Sequence, residues 1–212
     1  MIFVYGDSHA HYSFKGLPLA YEDRHQVSIT MFRVGRDRQI IHYNPSEHDE
    51  FSVSFISYGE VDCRCHIHRQ ILAGREEDDV IRELSTAYVS TLASVLTTGM
   101  AVIVLAIIPP TRREEYESLN GPICHEFPFV GTDEERVRYT RKMNAEVERL
   151  CRPHSRIWFL SPYSAYTRED GTLRYECSDG SVHLRENTAF LSECIAWYHT
   201  VVEKRGLKDG SM

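Results

Sequence analysis

A surplus of positive charge is missing from this sequence. Its 24 lysines and arginines are outnumbered by 31 aspartates and glutamates, for a net charge of −7. Long-range attraction to nucleic acid or to an anionic bilayer is therefore absent, and only local basic patches could serve either. Blocks of like charge, low-complexity tracts and internal repeats are also lacking, which excludes charged tails and solenoids. The N-terminus has no basic leader region, and its apolar run is only a strand long, so no secretory leader is expected. The six cysteines (63, 65, 124, 151, 177 and 194) are then expected as reduced thiols in a cytoplasmic compartment. Zinc-type ligand spacing is incomplete too. "CRCHIH" supplies Cys63, Cys65, His66 and His68, but no second ligand pair follows at the usual interval. No metal and no other cofactor are expected.

One uncharged run, Ala87 to Pro109, has the length of a membrane span. It divides in two. Its first part continues an amphipathic pattern begun at Ile81 (81, 84, 88, 92, 95), and Thr97-Thr98-Gly99 reads as a helix stop. "AVIVLAII" (101–108) is a β-branched run closed by Pro109-Pro110, as a strand buried on both faces would be. The reading is helix, turn and strand, with no membrane span.

The remaining 42% hydrophobic and 26% charged composition suits one compact domain over residues 1–212 with a sizeable core. Strands are expected at 1–5, 26–32 ("QVSITMF"), 51–57, 101–108 and 156–161. Helices are expected at 76–98, 132–151 and 187–205. Thr132 and Glu135 form a capping box for the second of these helices. Glu76-Glu77-Asp78-Asp79 favours the positive end of the first. Alternation of this kind predicts a three-layer α/β/α sandwich around a mainly parallel five-stranded sheet of flavodoxin-like order. In such sheets the functional rim lies at the carboxyl ends of the strands. The first strand ends in Gly6-Asp7-Ser8-His9, the third in "SYGEVDCR" (57–64), the fourth in a twenty-residue loop that carries Arg112, and the fifth in "PYSAYTREDGTLRYECSDGSVHL".

Three of these segments together resemble the SGNH/GDSL hydrolase superfamily. "GDSH" matches its nucleophile block, "ISYGEVD" falls where it has Gly-x-Asn-Asp, and "SDGSVH" falls where it has Asp-x-x-His before the last helix. The resemblance implies Ser8 as nucleophile, His183 as base, Asp179 as orienting acid, and the N–H groups of Ser8 and Gly59 as oxyanion donors. This sequence departs from the family in three ways. Val61 replaces the oxyanion asparagine, Asp179-x-x-x-His183 is one residue longer, and Gly35 is only a guess for the second-block glycine. Asn144, on an apolar helical stripe, reads as a buried hydrogen-bonding residue rather than as the missing donor.

In an extended segment Glu60, Asp62 and Arg64 would share one side and border Ser8, with Asp7, His9 and Arg112 as further substrate contacts. "Gly-Glu-x-Asp-x-Arg" and "Ser-Asp-Gly-x-Val-His" also resemble SGNH-like segments of glycan-assembly proteins. That implies a carbohydrate or sugar-nucleotide substrate. Two enzyme readings follow. One is ester hydrolysis or acyl transfer on carbohydrate. The other is a glycosyltransferase in which Asp179, His183 or Asp62 is the base and Arg64 or Arg112 holds a donor diphosphate. A sugar-binding module without catalysis is the third reading. Structural alternatives stand beside these: Ser8 as a helix cap, and Glu60, Asp62 and Arg64 as an ion-pair knot. Oligomeric state has no signature in the sequence.

Overall fold

The computed structural model describes residues 1–95, 100–123 and 127–204. Five strands, β1 (Ile2–Gly6), β2 (Tyr21–Asp23), β3 (Val53–Ser57), β4 (Ala101–Leu105) and β5 (Ile157–Leu160), form one sheet in the order β2-β1-β3-β4-β5. Every pairing is parallel, so the expected mainly parallel sheet is wholly parallel. The helices are α1 (Ser8–Phe14), α2 (Met31–Asp37), α3 (Ile67–Leu72), α4 (Glu77–Val95), α5 (Arg113–Asn120), α6 (Asp133–Cys151) and α7 (Thr188–Lys204).

Alternation along the strands divides the core into two layers. Phe3, Tyr5, Ile56, Val102 and Val104 face α2, α4 and α6, packing with Val34, Tyr88 and Met143. Ile2, Val4, Phe55, Ile103 and Leu105 face α1 and α7, packing with Phe14, Phe190 and Cys194. Both faces of the sheet are therefore covered, and this is the α/β/α sandwich expected from the sequence. Thr132 caps α6 by accepting from the Glu135 N–H, and the Glu135 carboxylate accepts in return from the Thr132 N–H. Residues 87–95 are helix and 101–105 strand, while Thr97-Thr98-Gly99 lies outside the described residues. No helix among the described residues is long and apolar enough to cross a membrane. Cys63, Cys65, Cys151, Cys177 and Cys194 are free thiols, and Cys124 lies outside the described residues.

The strand expected at 26–32 does not form. β2 is only Tyr21–Asp23, Ser28 turns back with φ 62°, and Thr30 caps α2 by accepting from the Arg33 N–H at 3.1 Å. In "QVSITMF" Ile29, Thr30 and Met31 are buried in succession, while Val27 and Phe32 are exposed, and a distant group decides the local structure. The Asp62 carboxylate accepts from the Met31 and Phe32 amides at 2.7 and 3.3 Å, fixing a helix start there.

Parallel pairing carries β1 and β3 to the same rim, with Gly6 opposite Ser57 and the Asp7 N–H donating to the Ser57 carbonyl at 3.2 Å. The chain then turns at once into α1. A Cβ on Gly6 would fall on the Ser57 carbonyl oxygen and 2.5 Å from Ala10 Cβ. Gly6→Ala is expected to cost about 1–3 kcal/mol by overpacking, read as a lower Tm and denaturation midpoint. An unchanged melt would contradict the close approach of β1, β3 and α1.

Candidate active site

Asp7, not Ser8, caps α1: its Oδ1 accepts from the His9 N–H at 2.9 Å. Ser8 is the first helical residue, half-buried, and its Oγ lies 2.9 Å from Nε2 of His183. His183 Nδ1 lies 3.0 Å from Asp179 Oδ2. An ionised carboxylate only accepts, so Nδ1 carries the hydrogen and Nε2 accepts from the serine hydroxyl. The extra residue between Asp179 and His183 is taken up in a small closed turn. The Asp179 N–H donates to the His183 carbonyl at 3.0 Å, and Ser178 bridges Leu184. Oδ1 of Asp179 accepts from the Ser181 and His183 amides at 2.8 and 3.3 Å. Partial burial pushes the Asp179 carboxyl up, but the His183 bond and these amide bonds outweigh it, so its pKa lies below the ordinary aspartate value.

Beneath this pair runs a row of buried charges. His9 is 3% exposed, with Nδ1 3.0 Å from Asp7 Oδ1 and Nε2 3.2 Å from the Val182 carbonyl. Both partners are acceptors, so both ring nitrogens are placed to donate, an arrangement that suits the imidazolium form. Burial opposes that charge, yet the Asp7 carboxylate outweighs it, with Glu60 adding to the effect, and holds the His9 pKa above the ordinary histidine value. Glu60 lies 3.8 Å from His9 and bonds Arg64 at 2.9 Å. Arg64 Nη1 donates to the Phe127 carbonyl at 3.0 Å.

The segment after β3 is not extended. Glu60 and Val61 are already helical, and Asp62–His66 forms a π-helical turn that runs into α3. Glu60 and Arg64 therefore pair at i,i+4, while Asp62, fully buried, turns away to cap α2. The expectation that Glu60, Asp62 and Arg64 form one bank beside Ser8 fails for this reason. Of the three, Arg64 lines the cleft around Ser8. Arg112 lies outside that cleft, partly exposed, with its guanidinium on Asp170 at 2.5 Å. The "CRCHIH" side chains diverge: Cys63 and Cys65 are buried, His66 faces Asp62, and His68 bonds the Tyr139 hydroxyl.

The cleft holds about 190 Å³ and is walled by Asp7, Ser8, His9, Val27, Ser28, Val61, Arg64, Tyr116, Ile123, Phe127 and Ser181–His183. Val61 presents no donor to it. Gly59, at the end of β3, has φ 116°, and a Cβ there would meet Ile107 at 2.8 Å and Met31 at 2.9 Å, so this backbone can sit here only as glycine. Asn144 is engaged elsewhere: Oδ1 accepts from the Ile107 N–H at 2.8 Å and Nδ2 donates to its carbonyl at 3.3 Å. Gly35 is far from a role here, packed in α2 against Ala87. Ser28 is the left-handed residue that reaches the cleft from this part of the chain. Sequence reasoning also missed Tyr12, whose ring stacks on His183 at 4.3 Å and 18°. Its spacing of four from Ser8 on one helix was the available signal.

No protein-family model matches the chain, and no curated protein matches it. Solved structures do. A GDSL-like lipase from Bacteroides thetaiotaomicron superposes with a TM-score of 0.63 at 14% identity, over 94% of this chain and 87% of the other. A protein assigned as a platelet activating factor from Streptococcus pneumonia gives 0.62 at 17%, over 98% and 83%. A protein assigned as an acylhydrolase from Bacteroides fragilis gives 0.61 at 14%, over 96% and 86%. The chain has an SGNH/GDSL-like fold, and at these identities the likeness speaks for the fold alone.

Asp62 is the rim acid of the sequence reading that the fold turns onto the start of α2. Asp62→Ala is expected to lower stability by about 1.5–3 kcal/mol through loss of two charge-assisted bonds to α2, measured by urea denaturation. A variant as stable as the parent would contradict the capping role.

Proposed function

We propose that the protein is a serine ester hydrolase, or an acyltransferase by the same route, acting on short acyl esters of carbohydrate. The observation that carries this reading is the continuous hydrogen-bonded line Ser8–His183–Asp179 opening on a cleft. Ser8 Oγ attacks the ester carbonyl carbon while His183 Nε2 takes its proton. The resulting imidazolium is held by Asp179 and returns the proton to the departing alkoxide. Water, or an acceptor hydroxyl, then attacks the acyl-serine with His183 again as base. The oxyanion is assigned to the N–H groups of Ser8 and Gly59. Ser8 opens α1, where amides have no intrahelical acceptor. With Val61 in place of an asparagine, one side-chain donor fewer serves the oxyanion, worth on the order of 10²–10³ in rate.

A cleft of about 190 Å³ is below the usual range for enclosing a drug-sized ligand, which favours a short acyl group over a lipid chain. The alcohol side would meet Tyr12, 38% exposed beside His183, and Tyr116. Aromatic faces of this kind suit a sugar ring. Shared fold with proteins assigned as acylhydrolase and GDSL-like lipase supports ester chemistry. No observation favours glycosyl transfer. Arg112 is committed to Asp170, and Arg64 to Glu60 and the Phe127 carbonyl, so neither is left as a dedicated grip for a diphosphate.

The test is turnover of p-nitrophenyl esters of increasing acyl length, alongside acetylated oligosaccharides. Acetyl esters are expected to be cleaved fastest. Asp179→Asn is expected to lower kcat by roughly 10²–10⁴ and Ser8→Ala to abolish it. Hydrolysis surviving in Ser8→Ala would sink the mechanism.

A further inference from the structure

Outside the serine cleft, one group of metal-ligating side chains converges among the described residues: His11, Asp23 and His25. His11 lies on α1, one turn beyond Ser8, and Asp23 is the last residue of β2. His25 follows in the loop that runs on to Val27 and Ser28 in the cleft wall. His11 Nδ1 is 2.6 Å from Asp23 Oδ2, and His25 Nδ1 is 2.8 Å from Asp23 Oδ1. The two imidazoles lie 4.4 Å apart by ring centroid. Each directs a nitrogen at a different oxygen of the same carboxylate.

The geometry points to a binding site for a borderline first-row divalent cation, of which Zn²⁺ is the best match, bridging α1 to the end of β2. Two imidazoles and one carboxylate form a donor set that selects such ions over Mg²⁺ or Ca²⁺, which prefer all-oxygen shells. In a tetrahedral zinc shell with bonds of about 2.1 Å, ligand atoms stand about 3.4 Å apart. The ligand atoms here all lie within 4.8 Å of one another. To reach that spacing the two N···O separations, 2.6 and 2.8 Å, would open by about 0.8 and 0.6 Å, while the widest ligand pair, at up to 4.8 Å, would close onto the ion. Each would transfer its Nδ1 hydrogen to Nε2 or release it to solvent.

The neighbouring cation does not oppose this. Arg24, between two of the ligands in sequence, points the other way. It pairs with Glu22 and Glu47 and lies over the Phe3 ring. The partial exposure of all three ligands leaves at least one coordination position to water.

The ion would act as a clamp. With His11 on the helix that carries Ser8 and His25 two residues from Val27, a single metal fixes one wall of the cleft relative to the serine. The site stands whether or not Ser8 is a nucleophile, since its ligands are separate from that line.

Calorimetric titration of the chelator-treated full chain with Zn²⁺ tests it, with Co²⁺ absorption spectra as a second readout. One Zn²⁺ per chain with a micromolar or tighter Kd is expected, together with Co²⁺ d–d bands characteristic of a low-coordinate nitrogen/oxygen site. His11→Ala and His25→Ala, both changes at the surface, should each weaken binding at least 30-fold while keeping the parent circular dichroism. Absence of saturable binding up to 100 µM Zn²⁺ would overturn the site. So would equal affinity in both variants, which would place the ion on other residues.

Discussion

Four buried charges under the cleft set the conditions for everything above them. Asp7, His9, Glu60 and Arg64 are each 2–7% exposed, and alternate in sign along one row of contacts. Any one of them alone would be too costly to bury. As a row they neutralise each other, and three of them also reach other groups of the chain. Asp7 caps α1, His9 holds the Val182 carbonyl beside His183, and Arg64 holds the Phe127 carbonyl on the opposite wall. The position of the imidazole on Ser8 thus rests on a network whose side chains bond the surrounding frame rather than the serine hydroxyl. The other oxygen of Asp7, Oδ2, is buried with no hydrogen-bond partner among the described residues.

The same row explains why the residues that looked most chemical in the sequence are mostly structural. Glu60, Asp62 and Arg64 are spaced to share one side of an extended chain, but the chain turns helical at Glu60, directly after Gly59. In a helix the spacing of four pairs Glu60 with Arg64 and sends Asp62 in another direction, to the start of α2. A polar rim in sequence became an ion pair, a helix cap and one cleft residue. That outcome follows from helical geometry, which period-two reasoning does not contain.

Much of the frame was legible because its signals are local. Four of the five strands are β-branched or aromatic runs with clear ends, and the capping box at Thr132 marks α6 to the residue. The Ser8, Asp179 and His183 set was legible through element order, and the one-residue excess in its spacing proved to be a closed turn. Long-range influences were not legible. The strand expected at 26–32 gives way to a helix capped by a carboxylate thirty residues away. Tyr12 and Ser28 reach the site only because α1 and the loop after β2 meet at one rim. The convergence of His11 and His25 on Asp23 has the same origin, since α1 and the end of β2 become neighbours only in the folded sheet.

Fold likeness to hydrolases at 14–17% identity does not carry chemistry with it; activation of Ser8 does. The most direct measurement is intact-protein mass spectrometry after incubation with a fluorophosphonate, with peptide mapping of any adduct. The account predicts a single phosphonyl adduct on Ser8, slowed in Asp179→Asn and absent in Ser8→Ala. A folded protein that takes up no label at Ser8 would contradict it, leaving the Ser8–His183 contact as a structural hydrogen bond.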